Sequence, residues 1–426
     1  MNKKITLGAT IALIIISVAL TVSVTMVVAM RYFNYTMDKV SQRQAMFDYI
    51  ADVDKEVRRN YLGEIDEGAL RASLAKGYIV GIDDPYASYL SAEDYKKETD
   101  RLLGKWTGLG LETVRLENNS VIISAVHKNS AADRAGIQKG DVITLLDGND
   151  INTLEYSQVN YKLNFTQKVK LSVTRGKTSI AFEISESPYT ITSVESRMIG
   201  STGYIRINSF YGNTPQQFRD AYKSLKEKGA ENYIFDLRNN KGGDLKAVGE
   251  VISYLIPRGT YARRVTTETS QDLVSTGAYE ITKPSVTVVN DRTEGEAELF
   301  AGVLKESKKT SIVGVNTAGR GFVQEYYTLN ADGAAIKISV AYLSLASGAT
   351  LEGKGIAPDV ISEMPSELKN KFSFLTEEND PQLIAAVATL RGGTIPTNTS
   401  AATTQTAATS GTTSPTATTD STVTTK

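Results

Sequence analysis

The sequence predicts a multidomain α/β protein: an amino-terminal transmembrane helix, a helical segment, a β-rich domain, a layered α/β core and a disordered carboxy-terminal tail. Three observations carry this prediction. Residues 5–30 are apolar and uncharged, residues 104–185 form short strands punctuated by glycine, and strands alternate with helices from residue 193 onward. Strands that alternate with helices need crossover connections, which favours a parallel sheet covered by helices. The predicted parts are residues 1–33, 34–103, 104–185, 186–391 and 392–426.

The amino-terminal apolar run is long enough to cross a membrane. A helix over residues 5–30, at about 1.5 Å per residue, spans a hydrocarbon core of about 30 Å with some tilt. Lys3 and Lys4 precede the run and favour a cytoplasmic amino terminus, although basic residues also follow it closely. A cleaved signal peptide is the alternative, but its apolar region is typically shorter and no clear cleavage site follows. We therefore predict a single-pass anchor in the cell membrane, with the bulk of the chain extracytoplasmic.

Residues 34–103 are predicted to be helical. Apolar residues recur there at three- and four-residue steps, from Met46 through Ile50 and Val53 to Val57. That spacing places them on one face of a helix. Ser91 stands where a further helix would begin, and serine is a common cap of helix amino termini.

The last part of the chain, residues 392–426, has a different composition from the rest. It consists largely of Thr, Ser and Ala, and Asp420 and Lys426 are its only charged residues. Such a composition cannot build a hydrophobic core, which predicts disorder. A plain flexible tail and a glycosylated surface extension are both compatible with it.

Composition excludes several classes of function. Lys and Arg number 47 against 48 Asp and Glu, so the sequence lacks the basic excess typical of a nucleic-acid partner. Cysteine is absent, which excludes disulfides, thiol catalysis and thiolate metal ligands. His127 is the single histidine, so a site that needs two imidazoles is excluded as well. We predict no metal and no cofactor.

The β-rich domain has a recognisable order of elements. A Gly-Leu-Gly-Leu loop is followed by a strand over residues 121–126, a short helix that ends at Gly136, and a strand that leads into an Asp-Gly turn. This order resembles a PDZ domain. The resemblance implies a loop whose N–H groups capture a peptide's terminal carboxylate while the peptide adds a strand to the sheet edge; a mere tight turn would also explain the glycines. The implied binding residues are Gly108, Leu109, Gly110 and Leu111.

The chain as a whole resembles the carboxyl-terminal processing (tail-specific) serine peptidases. The motifs that carry the resemblance over about residues 48–365 are Asp-Asp-Pro-Tyr at 83–86, Asp-Leu-Arg-Asn-Asn at 236–240 with Gly242 and Gly243, and Gly-Ile-Ala-Pro-Asp at 355–359. The resemblance implies an extracytoplasmic protease with a Ser–Lys dyad and a PDZ domain that senses the substrate's carboxy terminus. It also implies an oxyanion-type loop at Gly242 and Gly243, although a glycine turn between strand and helix would need only the fold.

The two dyad positions hold the wrong residues. The family's nucleophile region is similar to Asn-x-x-Ser-Ala-Ser-Ala-Ser-Glu, and its alignment from Asn290 to Glu298 places the catalytic serine on Gly295. The family's Gly-Lys-Gly-x-x-Gln falls on residues 319–324, which places the base on Arg320 and retains the supporting Gln324. Glycine has no oxygen to attack a carbonyl carbon, and an arginine stays protonated and cannot accept a proton.

Three functions remain open on this basis. The leading hypothesis is a membrane-anchored pseudoprotease that binds protein or peptide carboxy termini, as a homodimer or paired with an active relative. The alternative is an active endopeptidase that uses displaced groups, for which Thr293 offers the nearest hydroxyl. A purely structural assembly protein, whose loop binds nothing, is the third.

Overall fold

The computed structural model describes residues 7–392, which divide into two compact units with the boundary between Ala75 and Lys76. Lys3 and Lys4 lie outside the described residues, and so does the predicted tail apart from Gly392. The predicted fold class is confirmed: an apolar amino-terminal helix, a β-rich domain and an α/β core follow one another in the order expected.

The first unit is dominated by one helix. α1 (Leu7–Asn60) has 54 residues and runs without a break across the predicted boundary at residue 33. It is long and apolar enough to cross a membrane. α2 (Glu67–Gly81) begins next, and the Asp66 carboxylate accepts the N–H groups of its first turn. Beside it, Arg58 forms an ion pair with Glu67 at 2.6 Å.

A short strand and helix lead into the β-rich domain. The strand is β1 (Ser88–Leu90) and the helix is α3 (Ala92–Leu102). The Ser91 hydroxyl caps α3 by accepting the Asp94 N–H, as predicted. The elements that follow are β2 (Lys105–Gly108), β3 (Leu111–Arg115), β4 (Val121–Val126), α4 (Ala131–Ala135), β5 (Val142–Leu146), β6 (Asn149–Asp150), α5 (Tyr156–Phe165), β7 (Lys168–Arg175), β8 (Thr178–Ser185) and β9 (Ser187–Thr190).

The β-rich domain is an antiparallel sheet in the order β3-β4-β5-β7-β8, with β6 beside β5 and β3 at one edge. β2 and β9 pair separately. Two local predictions are confirmed: Gly136 ends α4 in the left-handed region, and Asp147 and Gly148 both have positive φ, which matches the twist of a tight hairpin turn. Alternate residues of the strands, such as Val121, Ile123 and Val173, form its own buried core.

The α/β core begins with a short antiparallel pair and continues as strand–helix repeats. Its elements are β10 (Val194–Ile199), β11 (Thr202–Ile207), α6 (Thr214–Glu227), β12 (Asn232–Asp236), α7 (Leu245–Ser253), β13 (Gly259–Val265), β14 (Ser270–Ser275), β15 (Ser285–Val289), α8 (Glu296–Glu306), β16 (Thr310–Gly314), β17 (Phe322–Thr328), β18 (Ala335–Leu345), β19 (Val360–Ile361), α9 (Ser366–Lys369) and α10 (Pro381–Leu390).

Two sheets organise the core. The main sheet has the order β10-β11-β12-β15-β16-β19 and is parallel from β11 onward, as the strand–helix alternation predicts. An antiparallel sheet is built from β1, β18, β13 and β14, and β17 also pairs with β18. Parallel strands present their carboxyl ends at one edge, where ligands commonly bind. The turns after β12 and β15 therefore meet at the same edge.

Candidate active site

The turn between β15 and α8, which we call the elbow, contains the predicted nucleophile position. Gly295 is the residue before α8, with φ +60° and ψ −125°. A Cβ there would meet nothing closer than the Lys241 carbonyl oxygen at 3.7 Å, so the space admits a side chain. A sharp strand–turn–helix connection with one strained residue is how such folds expose a catalytic hydroxyl. Here the position carries only hydrogen.

Arg320 lies opposite, in the segment between β16 and β17. Its Nη1 donates to Glu294 Oε2 at 2.6 Å, and its guanidinium carbon lies 5.7 Å from the centre of the Tyr86 ring. The arginine side chain is half exposed, whereas Glu294 is almost buried. The predicted base position is thus occupied by a permanently charged group that already has an acidic partner.

A buried carboxylate ties these two segments together. Glu298, which is fully buried on α8, accepts four hydrogen bonds. Its Oε1 accepts from the Thr317 hydroxyl at 2.5 Å and the Gly319 N–H at 2.7 Å. Its Oε2 accepts from the N–H groups of Arg320 at 2.8 Å and Gly295 at 3.0 Å. Burial raises the pKa of Glu298 above its ordinary value, against the opposing effect of these hydrogen bonds.

The predicted oxyanion-type loop lies beside the elbow, but its donors are taken. The Gly242 N–H donates to Asn240 Oδ1 at 2.8 Å, and the Gly243 N–H donates to Glu296 Oε2 at 2.9 Å. Burial raises the pKa of Glu296. An oxyanion hole works only when its N–H groups point at the reacting oxygen. In this structure the Glu296 carboxylate accepts the Gly243 N–H of the predicted oxyanion-type loop, so this donor already has a partner.

The Gly-Leu-Gly-Leu loop differs from the Gly242–Gly243 turn, because two of its backbone N–H groups are available. Gly110 has φ +81°, and a Cβ there would lie 2.0 Å from the Ser130 side chain, so only glycine fits. The loop's carbonyls accept from elsewhere in the domain: that of Leu109 from the Ala132 N–H and that of Gly110 from the His127 N–H. Within residues 7–392 the N–H groups of Leu109 and Gly110 have no acceptor. The loop between Gly108 and Leu111 is therefore held in place with two donors available.

Comparison with known proteins matches both parts of the second unit. The model of peptidase family S41 matches residues 201–362, and that of the PDZ domain matches residues 107–185. The carboxy-terminal processing protease CtpA of Bacillus subtilis (strain 168) is 30% identical over 335 residues, which cover 77% of this chain and 72% of that protein. The chain belongs to the S41 peptidase family.

Two further comparisons agree with this S41 membership. The carboxyl-terminal-processing protease of Synechocystis sp. (strain PCC 6803) is 31% identical over 323 residues, which cover 73% of this chain and 75% of that protein. The crystal structure of a proposed S41 protease from Bacteroides fragilis NCTC 9343 has a TM-score of 0.55 at 19% identity and covers 78% of this chain and 91% of that one. This structure supports the shared fold alone.

The S41 pattern has small residues on both sides of its nucleophile, and this chain has two glutamates there. Glu294 pairs with Arg320, and Glu296 occupies the Gly243 N–H. Sequence reasoning missed both glutamates because it compared only the dyad positions. The signal was present in the same alignment, since a charged residue replaces alanine on each side of Gly295.

Two other residues singled out in the sequence have structural partners. Thr293 is fully buried, and its hydroxyl donates to the Leu237 carbonyl at 3.0 Å and accepts the Asn290 N–H. Those contacts leave it poorly placed as a substitute nucleophile. Gln324 lies on β17 and donates its side-chain amide to the Tyr86 carbonyl at 3.1 Å.

One cavity of about 1330 Å³ is bordered by Gly242, Gly243, Glu294, Gly295, Glu296, Arg320 and Gln324. It also contains Lys337 of β18, which sequence reasoning missed, and burial lowers the pKa of this lysine. The Lys337 ammonium lies 5.6 Å from the centre of the Tyr326 ring. Within the part of the chain that the structure describes, no cluster of three or more metal-ligating side chains is found.

Proposed function

We propose that this protein is a membrane-anchored pseudoprotease that binds the carboxy termini of proteins or peptides outside the cytoplasm without cleaving them. The observation that carries the proposal is the state of the cleft around residue 295. Glycine stands at the nucleophile position, and the Glu296 carboxylate accepts the Gly243 N–H. Acyl transfer needs an attacking oxygen, a base and donors for the oxyanion. The family positions 295, 320 and 243 supply no attacking oxygen, no proton acceptor and no unoccupied N–H for these three tasks.

The expected loss of catalytic rate favours an inactive protein. Removal of a serine nucleophile alone lowers the turnover of a comparable protease by roughly 10⁶-fold. The Arg320 guanidinium cannot take up the proton that the family's lysine accepts. A carboxylate at the oxyanion donor adds repulsion, because negative charge would develop next to negative charge. These defects act on the same step, so repair of one leaves the others in force.

The loop from Gly108 to Leu111, which we call the carboxylate loop, supports retained binding of carboxy termini. The N–H groups of Leu109 and Gly110 are unpaired within residues 7–392, and the loop begins an edge strand. Backbone donors next to a free strand edge are the arrangement that captures a terminal carboxylate and an extended tail. The loop therefore has the groups needed to bind a carboxy terminus, whereas the cleft lacks those needed to cleave a peptide.

The membrane anchor rests on α1. Its apolar part is exposed along residues 11–30 and is long enough to span a bilayer. We expect the full chain to stay with the membrane pellet after alkaline extraction. Recovery of a shortened chain in the soluble fraction would favour a cleaved signal peptide instead.

An active peptidase with displaced groups is the second candidate, and Lys337 is the observation that favours it. Lys337 lies inside the cavity, and burial lowers its pKa, which favours the neutral amine that a base requires. In the described part of the chain no serine or threonine hydroxyl donates to Lys337, so its nucleophile partner is missing. Cleavage by the wild-type protein that is lost in Lys337→Met would support this candidate.

The test of inactivity restores the family residues in the full-length protein in detergent. We expect no cleavage of a peptide with a free apolar carboxy terminus by the wild type, and measurable cleavage by the triple variant Gly295→Ser, Arg320→Lys, Glu296→Ala. The matched control carries Gly295→Ala with the same two other changes and should remain inactive, since it lacks the hydroxyl. Turnover by the wild type at a rate near that of the triple variant would refute the pseudoprotease.

Binding is tested separately by fluorescence anisotropy. The wild type should bind the same peptide with its free carboxylate and lose at least about tenfold in affinity when the carboxylate is amidated, because a charge-assisted contact is removed. Equal affinity for the two peptides would leave the loop without a role in recognition and would favour a structural protein.

A further inference from the structure

β3 has a free edge beside the carboxylate loop. β3 follows the loop directly and pairs with β4 on one side only. A tail whose carboxylate sits on the Leu109 and Gly110 N–H groups must run antiparallel to β3 when it adds to that edge. Its last residue then lies beside Leu111, and the residue two positions earlier lies beside Thr113.

That second position is already occupied. The Tyr156 hydroxyl, at the start of α5, donates to the Thr113 carbonyl at 2.6 Å. Next to it, Arg115 of β3 donates through Nη2 to the Leu154 carbonyl at 2.8 Å, and its guanidinium carbon lies 5.7 Å from the Tyr156 ring centre. We call the Tyr156–Thr113 and Arg115–Leu154 contacts the clasp.

The clasp acts on the free edge of β3 because β3 is regular. The pairing shifts from Glu112↔Ala125 to Thr113↔Ile123, so the extra residue of the bulge is Ser124 in β4 and not a residue of β3. Carbonyls along a regular strand alternate in direction, so those of residues 111, 113 and 115 point to the same side. The Gly110 carbonyl accepts the His127 N–H at the end of β4, so residues 110, 112 and 114 face β4. The Thr113 carbonyl that Tyr156 bonds therefore lies on the free edge, which an added strand would use.

The apolar residues near the clasp are packed together. Leu109 is 1% exposed, and Val159 and Leu163 of α5 are 0% and 3% exposed. All three belong to the core cluster of the domain. α5 therefore packs against the loop and against the sheet that contains β3.

We propose that the clasp sets how much of a partner's tail is recognised: the closed groove takes the carboxylate and the last two residues, and an extended tail must displace Tyr156 from Thr113. This inference rests on the proposed binding of carboxy termini. Tyr156 is thus a residue that determines the length specificity of the site. Loss of one neutral hydrogen bond corresponds to roughly a five- to tenfold change in an equilibrium constant.

The experiment compares two probes on the full-length protein: an N-acetylated dipeptide and a decapeptide that share their last two residues and a free carboxylate. We expect the wild type to bind both with dissociation constants within about threefold. Tyr156→Phe should bind the decapeptide about fivefold more tightly and leave the dipeptide unchanged. Tyr161→Phe is the matched control, because Tyr161 is an exposed tyrosine of the same helix that packs on Phe165.

The outcomes separate the two proposals. Dipeptide binding with no length effect in Tyr156→Phe would overturn the clasp and leave carboxy-terminal binding intact. A wild-type preference of more than tenfold for the decapeptide would also overturn the clasp and leave carboxy-terminal binding intact. Absence of binding by either probe to any variant would overturn the proposed function, and the clasp with it. Amide hydrogen exchange of residues 111–115 provides a second measurement: in Tyr156→Phe, and not in the control, added decapeptide should slow exchange along β3.

Discussion

The cleft and the carboxylate loop both depend on backbone N–H donors, but those donors are occupied in the cleft and have no acceptor within residues 7–392 in the loop. Both present backbone N–H groups from a glycine-containing turn at the edge of a sheet. In the cleft, Asn240 and Glu296 accept the donors of Gly242 and Gly243. In the loop, the donors of Leu109 and Gly110 have no acceptor within residues 7–392. The comparison teaches that the fold places the donors, whereas a few side chains decide whether a ligand can reach them.

The largest effect is expected in the cleft, at Glu298. Replacement by alanine would leave four donors of the elbow and the Arg320 segment without their buried acceptor. We expect the free energy of unfolding to fall by about 3 kcal/mol or more. Chemical denaturation measures it, and Glu298→Gln, which keeps one acceptor oxygen, should fall between the wild type and alanine. An alanine variant as stable as the wild type would show that this carboxylate does not hold the cleft together.

The loop should be almost as sensitive, but for a steric reason. Gly110→Ala would place a Cβ 2.0 Å from the Ser130 side chain. We expect a loss of about 2 kcal/mol in stability and loss of carboxylate binding. Gly148→Ala is the control, since Gly148 has φ +80° and no atom within 4 Å of its Cβ position. It should lose only about 1 kcal/mol, from backbone strain, and keep binding. Equal losses in the two variants would mean that the clash is relieved by movement of the loop.

A smaller effect is expected at Gly295. Space for a side chain exists there, so Gly295→Ser meets only the strain of a positive φ. We expect a loss of about 1 kcal/mol in the free energy of unfolding. Gly348→Ser, at φ +91° with no atom within 4 Å, should lose a similar amount and serves as the control. A loss of more than about 3 kcal/mol would mean that the elbow no longer tolerates the family's residue.

The smallest effect is a pH dependence of stability, which has opposite signs at α8 of the α/β core and at β5 of the β-rich domain. Burial raises the pKa of Glu296, so its contribution to stability is full below its ordinary value of 4.5 and is lost as the pH rises. The ion pair with Arg175 lowers the pKa of Asp141, so its contribution is full above 3.8 and is lost as the pH falls further. Hydrogen exchange should therefore show α8 more protected at pH 4.5 than at pH 7, and β5 less protected at pH 3 than at pH 4.5. Glu296→Gln should abolish the first change, and Asp141→Asn the second.

Local features of the fold were accessible from sequence, and long-range contacts were not. Ser91 and Gly136 act through the residues next to them, so their roles as caps could be predicted. Gly295 and Arg320 could be placed because the motifs around them have fixed spacing. The bond between Gly243 and Glu296 joins residues 53 positions apart, and only the packing of α8 against the turn after β12 brings them together. The continuity of α1 past residue 33 was also missed, because a change from apolar to polar composition does not by itself end a helix.

The conformation of Gly295 has an evolutionary consequence. A serine at φ +60° makes the chain harder to fold, and glycine relieves that difficulty. Selection for folding alone would therefore favour glycine over serine at this position. In a lineage without selection for cleavage, the same backbone strain would oppose a return to serine.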